Sequence, residues 1–303
     1  MLRGQGRFID DLEPVANAGH AAIVRSQFAR ARLGRIDVSP ALELPGVIGV
    51  VTGAEVAAAS NHFPVGVEGA PFQYAAAVDE ARYVGEPLAV VVAKDRYVAE
   101  DAAELVVVDY EPLDAVVDPV AAAGEWTVSD RAFSYGDPDA AFAAAELVVE
   151  ERYRFPRWAG NPLECYGVVC DWNQAEGSLT AWANFQGPFT LHAVAAGALG
   201  LAGSKLRLIT PPDSGGSFGT KAAVYAYIVL LGVVSKQLGV PVRWTEDRLE
   251  HLAASASSTA RVTDVAAAFG ADGELLGLRY DVWEDVGAYV RAPEPATDRK
   301  SVV

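Results

Sequence analysis

The segment from Leu208 to Lys221 narrows the choice of folds more than any other part of this chain. It opens as a short apolar strand and breaks at Pro211 and Pro212. Three glycines, Gly215, Gly216 and Gly219, then fall within five residues. The run from Ala222 to Leu238 is apolar, contains no proline and has one internal glycine, so it reads as a buried helix. A glycine-rich turn before a helix leaves unpaired backbone N–H groups at the positive end of the helix dipole. Glycine also lets backbone come close to a ligand. The stretch is therefore either an anion or cofactor site or a tight strand-to-helix corner that binds nothing, and taken alone it does not decide between them.

The 303 residues are enough for about two domains, and 51% apolar residues are enough for substantial cores. A formal charge of −16 argues against nucleic acid or an anionic membrane as partner. No run of about 18 apolar residues is free of both glycine and charge, so no membrane span is expected. The opening Met1 to Arg7 lacks the apolar core of a signal peptide, which leads to the expectation of a cytoplasmic protein. Cys165 and Cys170 are too few for an iron–sulfur cluster, which takes about four ligands. His20, His62, His192 and His251 show no zinc spacing.

Along the chain, Gly19 to Ser26, Phe28 to Ile36 and Val47 to Thr52 read as strands. Ser39 is expected to cap a short helix with Pro40 at its first position. Leu88 to Ala93 reads as a strand covered on both faces. Asp95 then caps a helix from Arg96 to Glu104, with Tyr97, Ala99, Ala103 and Leu105 on its apolar side. Leu105 to Tyr110 is the next strand, and the first domain ends near Val120. Residues 121–145 read as a linker with a short helix from Pro138 to Ala145. Leu147 to Phe155, Tyr166 to Trp172 and Leu179 to Ala183 follow as strands.

Two strand–loop–helix units come next. The strand ending at Ala183 runs through Asn184 to Pro188 into a helix from Phe189 to Leu199, and the strand at 205–210 runs through the glycine-rich turn into the helix at 222–238. If these strands lie parallel in one sheet, Gln186 and the turn share its carboxyl edge, where ligands bind in such sheets. Gln186 is then either a donor beside the turn or a loop-capping amide. Val242 to Trp244 closes the set. Asp272-Gly273, between Val262–Phe269 and Leu275–Trp283, signals a hairpin.

Several motifs resemble the molybdenum-binding large subunit of the xanthine dehydrogenase family. They are Gly4 to Asp11 followed by His20 to Ser26, Tyr83 to Ala93, Ala99 to Glu104, Val108 to Leu113, Asn184 to Pro188, and Gly215 to Lys221, in that order. The branch they resemble is the bacterial three-subunit type, similar to aerobic carbon monoxide dehydrogenase and N-heterocycle dehydrogenases. The resemblance implies an α+β fold. A xanthine dehydrogenase-type α/β hammerhead domain would span 1–120 and a linker 121–145. The first part of a molybdopterin-binding α+β domain would span 146–303. It also implies a molybdenum–molybdopterin cofactor, in the cytosine dinucleotide form. [2Fe–2S] centres and FAD would sit on a small and a medium partner subunit, in a dimer of heterotrimers acting on a small-molecule substrate.

The site residues carried over by the resemblance are Gln186, Gly216, Ser217, Phe218 and Gly219. Gln186 would donate to an oxygen on molybdenum, and the Ser217–Gly219 backbone would approach the metal and pterin. Phe218 would wall the substrate pocket. Gln186 and Phe218 would lie near the metal, with no protein side chain ligating it. No catalytic residue is expected within these 303 residues, because the family's general base lies farther along the large subunit. The family turn more often carries glycine where this chain has Ser217. Purine-oxidising members carry glutamate where it has Ala222, which makes a purine substrate a poor fit. Glu164 and Asp213 are expected to be structural.

The family pattern is still running at Asp285 to Tyr289 and stops at Asp298 to Val303, a run that a sequencing adapter would encode. A truncated large subunit, inactive by itself, is therefore the expectation, with a split subunit as the alternative. Two further readings remain. One is a phosphate- or nucleotide-binding protein using Gly215–Lys221, although that stretch fits neither the P-loop nor the dinucleotide fingerprint. The other is a non-catalytic assembly module.

Overall fold

The computed structural model describes residues 3–65 and 67–290, so Asp298 to Val303 lie outside the described residues. In chain order the elements begin with β1 (Gly19–Arg25), β2 (Ala31–Asp37), α1 (Ser39–Leu42), β3 (Val47–Thr52), α2 (Gly53–Ala59), β4 (Glu80–Ala81), β5 (Pro87–Ala93), α3 (Arg96–Glu104) and β6 (Val107–Pro112). Residues 113–137 carry no helix or strand. Then follow α4 (Pro138–Ala143), β7 (Leu147–Phe155), β8 (Gly167–Asn173), β9 (Ser178–Ala183), α5 (Pro188–Ala198), β10 (Leu206–Ile209), α6 (Val224–Leu238), β11 (Val242–Thr245), α7 (Arg248–Ala254), β12 (Ala260–Phe269) and β13 (Leu275–Asp285).

The largest sheet has seven strands in the order β10-β9-β8-β11-β1-β5-β3. It is mixed, not parallel throughout. β9 and β10 run parallel, as do β1 and β11, and every other neighbouring pair is antiparallel. Strands from both ends of the sequence therefore share one sheet. β5 lies inside it and is buried at every position, as its unbroken apolar run requires. β4-β2-β6 and β13-β12-β7 form two smaller antiparallel sheets, the latter built on the hairpin that turns at Asp272-Gly273.

The main core joins β8, β9, β5 and β1 to α5 and α6, with Tyr166, Val168, Leu179, Leu191, Ile228, Leu230 and Val242 among its members. The segment Thr220–Leu238 is long and apolar enough to cross a bilayer, which the sequence reading had not anticipated. Most of it is buried here, as expected for a helix that is apolar all round and enclosed by a core.

Several local expectations need correction. Leu105, expected on the apolar side of α3 and at the start of the next strand, is exposed at the end of α3, and β6 begins at Val107. Ser39 is the first residue of α1 and not its cap: Val38 holds the cap position, and the Ser39 N–H donates to Asp37 Oδ1 at 3.1 Å. The aspartate two residues earlier accepts from the backbone at the helix start, in place of the serine hydroxyl. Tyr97 is 78% exposed, because α3 turns Ala99 and Ala102 inward and small residues let it lie close to the sheet. β2 starts at Ala31, since Ser26 Oγ closes a tight turn with Phe28 N and O and holds that residue out of the strand. Asp95 caps α3 as expected, accepting from Val98 N at 2.9 Å.

Candidate cofactor site

β9 and β10 are in parallel register from Leu179↔Leu206 to Trp182↔Ile209, so the loops that follow them emerge at one edge. The first loop is anchored by buried Asn184, whose Oδ1 accepts from Gly167 N at 3.0 Å and whose Nδ2 donates to Cys165 O at 2.7 Å. Phe185 is buried beside it, and Gln186 then emerges exposed. Its backbone N–H donates to Lys221 O at 3.3 Å, which joins the first loop to the end of the second.

The second loop runs from Thr210 to Gly219. Gly216, Phe218 and Gly219 all have positive φ, at 98°, 52° and 91°. Glycine adopts this backbone freely, whereas for phenylalanine it is uncommon and has to be held by its surroundings. Among the described residues, the N–H groups of Gly216, Ser217, Phe218 and Gly219 donate to nothing. The hydrogen-bonded donors begin at Thr220, which donates to Ser217 O at 3.1 Å. A single 3-10 turn, Thr220–Ala223, precedes α6, so the free amides belong to the loop and not to the first turn of an α-helix as the sequence reading had it. Successive amides in such a loop form an anion-binding concavity.

Ser217 ties the two loops together. Its hydroxyl accepts from Lys221 N at 3.3 Å and donates to Gln186 Oε1. With Oε1 occupied, the Gln186 NH2 group is left without a partner among the described residues. All five residues expected at the site thus lie on these two adjoining loops. Phe218 is 72% exposed, and nothing lies within 4 Å of where a Cβ on Gly219 would stand.

The sequence reading missed what lies beneath the turn. Lys221 is 1% exposed and donates to Glu164 Oε2 at 2.6 Å, and the same oxygen accepts from Gly215 N at 2.9 Å. The other carboxylate oxygen accepts from Ile9 N at 3.3 Å. Glu164 therefore holds the turn from inside, as its expected structural role required. The available signal was a lysine at the head of an apolar run, because a lysine buried there needs a carboxylate. Asp213 is structural too, accepting from Arg7 N at 2.8 Å.

Cys165, Glu246 and His251 come within 4.8 Å of one another, a grouping that spacing in the sequence did not show. Both ring nitrogens of His251 already face oxygen acceptors, so a ring keeping both contacts has no lone pair for a metal. Both cysteines are free thiols.

Residues 3–114 match the aldehyde oxidase and xanthine dehydrogenase a/b hammerhead domain, and residues 123–302 match the molybdopterin cofactor-binding domain. The chain belongs to the xanthine dehydrogenase family of molybdopterin-binding proteins. It is 35% identical to the carbon monoxide dehydrogenase large chain of Afipia carboxidovorans, covering 97% of this chain and 39% of that one. It is 36% identical to the nicotine 6-hydroxylase large subunit of Paenarthrobacter nicotinovorans, covering 97% and 38%. Among solved structures, quinoline 2-oxidoreductase from Pseudomonas putida superposes with a TM-score of 0.83 at 34% identity, covering 93% of this chain and 37% of that one. The chain thus spans less than two fifths of the length of these family members. The site suits the family's oxygen-rich cofactor: it offers four free amides, a free carboxamide NH2 and open space at Gly219, with no carboxylate among those five residues to repel an anion.

Proposed function

We propose that this chain forms the first part of the large subunit of a molybdenum hydroxylase, and that Gln186, Gly216, Ser217, Phe218 and Gly219 hold its molybdenum–molybdopterin cofactor. The observation that carries this reading is the Ser217 bridge, which sets the Gln186 NH2 group beside four backbone N–H groups that, like it, have no partner among the described residues. When bound, the cofactor supplies the redox chemistry that places a water-derived oxygen on an aldehyde or N-heterocycle, or that oxidises carbon monoxide.

The residues of this chain bind and orient. Gln186 would donate from Nε2 to the cofactor, and the Gly216–Gly219 amides would stabilise its negative charge without needing a cation. Phe218 presents an exposed ring that favours flat, apolar substrates. None of the five side chains titrates near neutral pH, so the general base comes from elsewhere in the subunit. By the same reading the pterin is the cytosine dinucleotide. The same reading would put [2Fe–2S] centres and FAD, as the electron acceptors, on small and medium subunits of a cytoplasmic dimer of heterotrimers.

Metal and nucleotide analysis of the purified enzyme tests this. About one molybdenum per large subunit, with CMP released by acid hydrolysis, is the expected result. A protein that binds ATP or NAD and carries no molybdenum would be the nucleotide-binding alternative, and one that binds neither would be an assembly module.

A further inference from the structure

A buried ion pair lies behind the glycine-rich turn and takes no part in the site described above. Glu246 directly follows β11, and His251 lies in α7, which Asp247 and Glu250 cap reciprocally. Both side chains are fully enclosed. His251 Nδ1 donates to Glu246 Oε2 at 2.7 Å, and Nε2 donates to Gly160 O at 3.1 Å. With Glu246 ionised both partners are acceptors, and the doubly protonated ring is then the form that donates to both. Burial favours the neutral ring, but the hydrogen bonds to Glu246 and Gly160 outweigh it and raise the imidazole pKa overall.

Two routes lead from this pair to the turn. On the first, the Gly160 carbonyl held by His251 belongs to a residue pressed against Phe218. A Cβ on Gly160 would stand 2.8 Å from Phe218 Cβ and 3.3 Å from Phe218 O. On the second, Glu246 Oε2 also accepts from Tyr166 N at 3.0 Å, and Glu246 N donates to Tyr166 O at 2.9 Å. The Tyr166 ring meets the His251 ring edge-on at 5.3 Å, and its hydroxyl donates to Thr220 O at 2.7 Å. The two contacts fall on either side of Gly219, at the ends of the segment that opens with the positive φ of Phe218.

We propose that Glu246 and His251 are positioning residues that hold Phe218 and Gly219 in their left-handed backbone at the head of the Thr220–Ala223 turn, through Gly160 on one side and Tyr166 on the other. The consequence for cofactor retention rests on the function proposed above, but the positioning does not.

The test is hydrogen exchange in the assembled enzyme at the Thr220, Lys221 and Ala222 amides, which are hydrogen-bonded within the turn. Glu246→Gln and His251→Phe are expected to speed their exchange about tenfold or more. Val91→Ala, a core truncation in β5, should leave these amides within about twofold of the parent. His251→Gln keeps a single amide donor group and should give an intermediate rate. Tyr166→Phe leaves the ion pair in place and removes the hydroxyl's hydrogen bonds, to Thr220 O and with the Ala256 backbone. It should speed exchange at these amides even if the ion-pair variants do not fold. Rates within about twofold of the parent in Tyr166→Phe and in every folded ion-pair variant, or rises no larger than in Val91→Ala, would overturn the proposal. Molybdenum content, measured on the same samples, separates the two claims. Loosened amides with full molybdenum would leave the positioning standing and remove the reading of the turn as a cofactor site.

Discussion

The Gln186 carboxamide has one oxygen and two N–H donors, and the fold engages only the oxygen. Ser217 thereby decides which end of the amide faces outward. Ser217→Ala should free the amide to rotate and lower turnover about 10-fold, and Gln186→Ala should lower it about 10–100-fold, each with molybdenum content close to the parent. Ser217→Thr keeps the hydroxyl and should stay near parental turnover. Steady-state rates normalised to molybdenum check all three, and unchanged turnover in Gln186→Ala would remove its proposed role. Gln186 and its neighbours were legible in the sequence because they sit in short motifs. The Glu164–Lys221 clamp was not, because its partners are 57 residues apart and only the fold brings them together.

A second residue-scale prediction concerns Glu86. Burial pushes its carboxyl up to about 7 against the opposing hydrogen bonds from Arg82 N and Tyr289 Oη, starting from 4.5 when free. The folded protein therefore holds a proton that the unfolded chain releases. Its contribution to stability is full below about 4.5 and is lost as pH rises through about 7, by up to about 1.4 kcal/mol per pH unit between them. Glu86→Gln removes this dependence. The thermal midpoint of the parent relative to that variant should be higher at pH 5 than at pH 8, and a pH-independent difference would show that Glu86 does not titrate this way.

At the scale of elements, the loop from Thr210 to Gly219 combines an open face with a buried clamp. Gly219→Val should lower molybdenum occupancy for two reasons. A branched side chain strains a φ of 91°, and it fills space that is empty within 4 Å. Gly219→Asn isolates the second cause, since asparagine tolerates positive φ, and it should lose less occupancy. Metal analysis of the purified variants decides, and full loading of Gly219→Val would make the turn a structural corner only. Elements with local signals formed where the sequence put them, such as α3 behind Asp95 and the hairpin at Asp272-Gly273. Tyr97 misled because an aromatic at helical spacing counts as apolar, while the residues α3 turns toward the sheet are the smaller Val98, Ala99, Ala102 and Ala103.

At the scale of the molecule, the sheet order could not be read from the sequence, because β11 inserts between β8 and β1 across more than 200 residues of chain. In the sheet β13-β12-β7, the outer strands β7 and β13 each have one edge unpaired among the described residues. Leu147, Val149, Tyr153, Leu278, Tyr280 and Val282 on those strands are exposed. The 303-residue chain expressed alone is therefore expected to be poorly soluble. It should also lack bound molybdenum and give no dye reduction with aldehyde, carbon monoxide or N-heterocycle substrates. Molybdenum-dependent dye reduction by this chain alone would contradict that.

The seam between β1 and β11 has a consequence for how the protein is made. It consists of two residue pairs, Gly19↔Val242 and His20↔Arg243. On the ribosome β1 gains its β5 neighbour once Ala93 has emerged, but its other neighbour begins at Val242, about 150 residues later. At about 5–20 residues per second the nascent chain carries that open edge for about 8–30 s. For that interval the first part of the fold is one half of an unfinished sheet. It must be kept apart from copies of itself on neighbouring ribosomes until its own later strand arrives.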